Sequence, residues 1–70
     1  MPGAIKKIIE EIVDAKAGED PAVRSFTRAK IIMKGVNPSK FTETSEDDPL
    51  IINRLKQIAL EFGLSTLQIG

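Results

Sequence analysis

The sequence predicts an all-α fold: a small three-helix bundle made of an antiparallel helical hairpin, a short helical turn and a third helix, with a short C-terminal tail. Apolar residues recur every three or four positions in three segments of the 70-residue chain, which is the periodicity of helices with one buried face. An Asp-Pro pair precedes two of these segments and a glycine follows all three, as expected of helix ends. Because one core needs about 50–200 residues, residues 1–70 are expected to form a single domain.

The first helix is predicted over residues 4–17. Its apolar stripe follows the i, i+3, i+4, i+7 pattern and consists of Ile5, Ile8, Ile9 and Ile12. All of these side chains are β-branched, which weakens intrinsic helix propensity, so packing must supply most of the stability. Gly18 is suited to the left-handed position that ends a helix.

The second helix is predicted over residues 21–34. Asp20 is a good N-cap because its carboxylate accepts free N–H groups of the first turn, and Pro21 fits the first helical position. Gly35 and Val36 predict a Schellman motif, in which glycine ends the helix and the next apolar residue packs back onto it. Only about three residues join the first two helices, so they are expected to form an antiparallel hairpin.

The second helix has two faces of different composition at about 100° per residue. The face predicted to join the core consists of Ala22, Phe26, Ala29 and Met33. The opposite face consists of Arg24, Thr27, Arg28 and Ile31, with Lys34 beside them and Lys30 on the flank. Ile31 is therefore predicted to lie at the surface among cations.

Residues 36–47 separate the second helix from the third. Asn37-Pro38 repeats the cap-then-proline signal, so a short helical turn is predicted over residues 38–42, with Phe41 as its anchor on the core. The acidic segment that follows is predicted to be a solvated approach to the third helix, because acids are favourable near a helix start.

The third helix is predicted over residues 49–62, beginning at Asp48-Pro49 and ending before Gly63. Its predicted core stripe consists of Ile51, Leu55, Ile58, Ala59 and Phe62. This stripe leaves Leu50 and Leu60 without an obvious place in a simple three-helix packing.

The composition gives little support to catalysis. The chain has no His, Cys, Tyr or Trp, which removes the usual proton shuttle, the reactive thiol and the thiolate metal ligands. The sequence contains no glycine-rich phosphate loop, and the acids of residues 43–48 lack the spacing of an EF-hand loop. The chain alone is therefore expected not to be an enzyme and to need no cofactor or metal.

Charge and hydropathy bear on the cellular environment. Ten basic and ten acidic residues cancel, whereas a dedicated nucleic-acid-binding domain is usually basic overall. The longest apolar runs are triplets such as IIM, far short of the roughly 20 residues that span a bilayer. Because a charged-then-apolar leader is also missing, the expectation is a soluble cytoplasmic protein with no membrane contact.

The stretch LKQIALEFGLSTLQI, residues 55–69, resembles the first helix and turn of a DNA-binding helix-turn-helix. In that motif a small residue such as Ala59 lets two helices approach, a glycine such as Gly63 makes the turn, and a serine such as Ser65 caps the recognition helix. Here the recognition helix would be TLQIG, which has no Arg, Lys or Asn to reach base edges. A fragment of a helix-turn-helix protein and a helix with a glycine C-cap and tail both stay open, and the second is favoured.

The main functional hypothesis is a protein-interaction module whose partner is a different protein or a second copy of the chain. It is motivated by cations around an apolar residue that the predicted core does not use. The predicted partner-binding residues are Arg24, Arg28, Ile31, Lys34, Leu50 and Leu60. The alternative, which is not favoured, is that a nucleic acid or another anionic ligand binds to Arg24, Arg28, Lys30 and Lys34.

Overall fold

The computed structural model describes residues 3–64, and over this range the protein is an all-α three-helix bundle, which confirms the predicted fold class. The helical elements are α1 (Ala4–Ala17), α2 (Pro21–Met33), a 3-10 turn (Pro38–Lys40) and α3 (Pro49–Glu61). Each one begins at the residue where the sequence predicts it. The predicted tail and the second helix of the helix-turn-helix resemblance lie outside the described residues.

Helix α1 is the centre of the bundle, because α2 and α3 both pack against it. Half of the buried apolar side chains among the described residues come from this one helix: Ile5, Ile8, Ile9, Ile12 and Val13. The other half comes from the two outer helices and from one residue three positions after the end of α2: Ile31, Val36, Leu55, Ile58 and Ala59. Phe41 is partly buried against this core, where the sequence predicts an anchor.

The two ends of α2 follow the predicted capping rules. A carboxylate oxygen of Asp20 accepts hydrogen bonds from the backbone N–H groups of Ala22 and Val23, at 3.0 and 3.3 Å. At the other end, Gly35 N–H donates to the carbonyl of Ile32 at 3.0 Å, and Val36 N–H donates to the carbonyl of Ile31 at 3.3 Å. This pair of hydrogen bonds is a Schellman motif.

Helix α3 has the same two ends. The Asp48 carboxylate accepts from the N–H of Leu50 at 2.9 Å. Gly63 N–H donates to the Leu60 carbonyl at 3.0 Å, and Leu64 N–H donates to the Ala59 carbonyl at 2.9 Å. Both helices therefore have 13 residues, an aspartate N-cap, proline at the first position and a Schellman C-cap.

The orientation of α2 differs from the prediction. Ile31 is 0% exposed and Thr27 is buried beside it, whereas Phe26 is 63% and Met33 86% exposed. The predicted core face of α2 is therefore its outer face, and the placement of Ile31 at the surface is wrong. The Schellman motif supplies the reason, because it packs the residue after the glycine onto the residue five positions earlier. Val36 is buried, so its contact residue Ile31 is buried with it.

The acidic segment before α3 also differs from the prediction, because part of it caps α1. The N–H of Gly3 donates to the carbonyl of Ser45 at 3.0 Å, and the N–H of Ala4 donates to the carboxylate of Asp47 at 3.1 Å. The Lys6 ammonium lies 3.5 Å from the Glu43 carboxylate. The two hydrogen bonds satisfy backbone N–H groups at the start of α1, which have no acceptor within the helix. The segment is therefore not simply a solvated approach to α3.

We expect Asp47→Ala to lower the free energy of unfolding by about 1 kcal/mol, because it removes the side-chain cap of α1 and a favourable charge at the helix N-terminus. Urea unfolding followed by circular dichroism would measure the change. Glu46→Ala is the matched control, since Glu46 is an exposed acid of the same segment. Equal stability of the two variants would contradict the capping role of Asp47.

Candidate functional site

The most distinctive surface of the described residues is the side of α2 that points away from α1. We call it the outer face of α2, and it consists of Ala22, Phe26, Ala29, Ile32 and Met33, all of them exposed. Ala22, Phe26, Ala29 and Met33 are four, three and four positions apart, so they form one line along the helix. We call these four residues the apolar line. At 1.5 Å per residue this line is about 16 Å long.

Two exposed cations border the outer face of α2. At about 100° per residue, Lys30 lies about 70° from the centre of the apolar line on one side, and Arg28 lies about 130° from it on the other side, beyond Ile32. The Lys30 ammonium lies 5.0 Å from the centre of the Phe26 ring, which is a cation–π distance. No carboxylate among the described residues pairs with Arg28 or with Lys30.

The other two cations of this region are engaged by the protein itself. The Arg24 guanidinium donates to the Asp14 carboxylate and, at 2.7 Å, to the carbonyl of Gly18 at the end of α1. The Lys34 ammonium lies 3.0 Å from a carboxylate oxygen of Glu61 in α3. Each pair is partly exposed, so each contributes modestly to stability. Arg24 and Lys34 therefore belong to the contacts between helices.

The structure does not gather the predicted partner-binding residues on one surface. Ile31 is in the core, and Arg24 and Lys34 are paired within the chain. Leu50 and Leu60 are exposed on α3, as the sequence predicts, but they lie ten positions and about 80° apart on that helix. They are two separate exposed leucines, which is ordinary for a protein surface.

The four cations of the alternative site are not gathered on one face either. Arg24 and Arg28 lie along one edge of α2, whereas Lys30 and Lys34 lie along the other. The apolar outer face separates Arg28 from Lys30. This arrangement gives less geometric support to a phosphate-binding surface than a single basic cluster would.

Sequence reasoning missed the outer face of α2 because it assigned those residues to the core. The signal that could have found it is the Schellman motif, which fixes Ile31 as the residue that contacts Val36. With Ile31 placed inside, the 100° rotation per residue places Ala22, Phe26, Ala29 and Met33 outside.

Other kinds of site receive little support from the described residues. Within residues 3–64, no group of three or more His, Cys, Asp or Glu side chains is arranged to hold a metal ion. None of the helices in that range is both long and apolar enough to cross a membrane. Comparisons with protein family models, with curated proteins and with solved structures found no match to this chain.

Proposed function

We propose that the protein is an interaction module that binds another polypeptide through the outer face of α2. The observation that carries the proposal is the exposure of three large apolar side chains on one side of one helix: Phe26, Ile32 and Met33. Fully burying a side chain of this kind contributes about 1.5–3 kcal/mol, so a partner that covers all three gains several kcal/mol. Contiguous exposed apolar residues with a polar border are typical of interaction surfaces.

The inner side of α2 strengthens the proposal. Only Thr27 and Ile31 of this helix are buried, and the hydroxyl of Thr27 donates to the Val23 carbonyl at 2.8 Å. The helix therefore has more large apolar side chains on its outer face than in the core. A helix that buries so little has much to gain from a second layer of packing.

The residue types of the outer face also suit an interface. Aromatic and methionine side chains are enriched at interfaces, and methionine adapts its shape to irregular partners. Lys30 covers one side of the Phe26 ring, an arrangement worth about 0.5–1 kcal/mol at an exposed site. This contact limits the conformations of the Phe26 side chain before a partner arrives.

We expect the double variant Phe26→Glu/Met33→Glu to lose at least tenfold in affinity for helical peptides selected against the wild-type chain from a displayed random library. The reason is that two carboxylates replace the largest side chains of the surface, so binding buries charge in place of apolar area. Fluorescence anisotropy with labelled peptides would measure the affinity, and circular dichroism would show that the variant is folded.

The matched control is Leu50→Glu/Leu60→Glu, which makes the same chemical change at two exposed apolar residues of α3. This variant is expected to bind the selected peptides as the wild-type chain does. Equal binding by both double variants, or a loss confined to the α3 variant, would contradict the proposed function. If the wild-type chain binds duplex DNA at low salt and Arg28→Glu/Lys30→Glu does not, the result favours the nucleic-acid alternative instead.

A further inference from the structure

The charged side chains around the outer face of α2 are all cationic. Residues 21–41 contain five cations and no acid. Asp14 and Glu61 engage two of these cations, so Lys30 is left beside the apolar line and Arg28 on the opposite edge of the outer face, next to Ile32. Any molecule that covers the line brings its own flanking groups next to these two side chains. Carboxylates there are attracted, whereas cations there are repelled.

The backbone of the binding surface also restricts its partner. A helix uses its interior N–H and C=O groups internally, so α2 offers no unpaired edge to which an extended strand could add. A partner that packs against such a surface must satisfy its own backbone, and a second helix does so. The line of Ala22, Phe26, Ala29 and Met33 has the four-three-four spacing of a helix–helix contact, with small residues between large ones.

A second copy of the chain does not complement this surface. In a symmetric pair of α2 helices, the charged side chains that α2 contributes at the borders of the contact would all be cations, namely Arg28 and Lys30 of both copies. No acid of α2 is present to offset the repulsion, because the helix has none. Like charges placed together across an interface are destabilising, so charge disfavours this pairing.

An anionic membrane surface fits the cations but not the apolar line. Membrane binding of an amphipathic helix increases with the apolar area that enters the lipid. Two of the four positions of the line are alanines, which add little area to a bilayer contact. The same alanines let a partner helix approach closely, since the distance between packed helices depends on the side chains at the contact.

We infer that the partner of the outer face of α2 is an amphipathic helix whose apolar stripe is flanked by aspartate or glutamate. This inference rests on the proposed function and adds the chemical class of the partner. The apolar stripe packs along Ala22, Phe26, Ala29 and Met33, and the flanking carboxylates pair with Arg28 on one side and Lys30 on the other.

Two synthetic peptides of about 18 residues test the inference, since shorter isolated helices are marginal in water. They share one leucine and alanine stripe and differ only in the flanking positions, which are glutamate in one peptide and lysine in the other. We expect the glutamate peptide to bind the full chain at least tenfold more tightly, with a difference that shrinks as salt is added. Fluorescence anisotropy would measure both affinities.

Charge reversal at the border provides the decisive variant. Arg28→Glu/Lys30→Glu is expected to reverse the preference, so that the lysine peptide becomes the tighter binder. The matched control is Lys7→Glu/Lys56→Glu, which reverses two exposed cations on α1 and α3 and is expected to leave the preference unchanged. A preference that follows the control pair and not the border pair would overturn the inference.

Failure of the inference and failure of the proposed function give different results. If both peptides bind equally and Phe26→Glu/Met33→Glu abolishes both, the charge preference is wrong and the interaction surface stands. If Phe26→Glu/Met33→Glu changes neither affinity, the proposed function is wrong as well. Both readings come from the same titrations.

Three further measurements test whether something other than an acidic helix covers the outer face of α2. A positive result in any of them overturns the inference. A mass by light scattering that doubles with concentration, and stays single in Phe26→Glu/Met33→Glu, would identify a second copy. Co-sedimentation with vesicles of anionic phospholipid, lost in the same variant, would identify a membrane. A gain in peptide affinity in Leu67→Glu/Ile69→Glu would identify residues 65–70 of the same chain.

Discussion

Replacing Ile31 by aspartate is expected to unfold the protein. The side chain is 0% exposed, and it contacts the core from the inner side of α2. Loss of the isoleucine side chain alone costs about 2–5 kcal/mol, and burial of an unpaired carboxylate adds several kcal/mol. At roughly 0.05–0.15 kcal/mol per residue, the whole stability of a domain of this size is about 4–10 kcal/mol. The loss therefore approaches the total.

The adjacent residue supplies the control. Ile32 is 51% exposed on the outer face of α2, so Ile32→Asp is expected to change the free energy of unfolding by less than about 1 kcal/mol. Thermal melting followed by circular dichroism would compare the two variants with the wild-type chain. Ile31→Ala, expected to lose about 2–4 kcal/mol, gives a value that urea unfolding can measure if the aspartate variant is unfolded at the outset.

The comparison also decides how α2 is oriented. If Ala22, Phe26, Ala29 and Met33 were the core face, as the sequence predicts, Ile31→Asp would be tolerated at the surface. A melting temperature of Ile31→Asp within a few degrees of wild type would therefore support the orientation predicted from the sequence, with Ile31 at the surface, and contradict the structure. The same result would remove the surface on which the proposed function rests.

The ends of the helices could be predicted from the sequence because they depend on a few neighbouring residues. Asp20 caps the N–H groups two and three positions later, and Gly35 supplies the left-handed residue one position after the C-cap. In α3, Asp48 caps the N–H group two positions later, and Gly63 is the left-handed residue after the C-cap. These interactions need no knowledge of the rest of the fold.

The orientation of α2 could not be read from apolar content alone. Phe26 and Met33 offer more apolar area than Thr27 and Ile31, so periodicity by itself assigns the larger pair to the core. The structure does the reverse, and buries the face that continues into Val36. Tertiary packing therefore overrides the local pattern at this helix, and the unused apolar area becomes the candidate interaction surface.

The cap of α1 was beyond sequence reasoning for a different reason. Ala4 and the carboxylate of Asp47 are 43 positions apart in the chain. From the sequence alone, an acid at residue 47 is assigned to the segment that leads into α3, because α3 begins only two positions later. Only the folded arrangement shows that the same segment also lies against the first turn of α1.

That arrangement makes Gly3 the most sensitive glycine of the described chain, and Gly3→Ala is expected to cost about 2–4 kcal/mol of stability. The φ angle of Gly3 is +92°, a left-handed conformation that costs other residues about 1–2 kcal/mol. A Cβ atom there would also lie 2.6 Å from the carbonyl oxygen of Glu43. The acidic segment must then move, which weakens the hydrogen bonds from Gly3 and Ala4 to it.

Gly35→Ala separates the two contributions, because Gly35 has a φ of +100° but an added Cβ would meet no atom within 4 Å beyond its own chain neighbours. It is expected to lose only the conformational part, about 1–2 kcal/mol. A double-mutant cycle between Gly3→Ala and Asp47→Ala then isolates the movement of the segment. If Gly3→Ala has already displaced Asp47 from α1, the second change costs little in that background, and the two losses are not additive. Fully additive losses, or equal costs at Gly3 and Gly35, would mean that the acidic segment does not press against the start of α1.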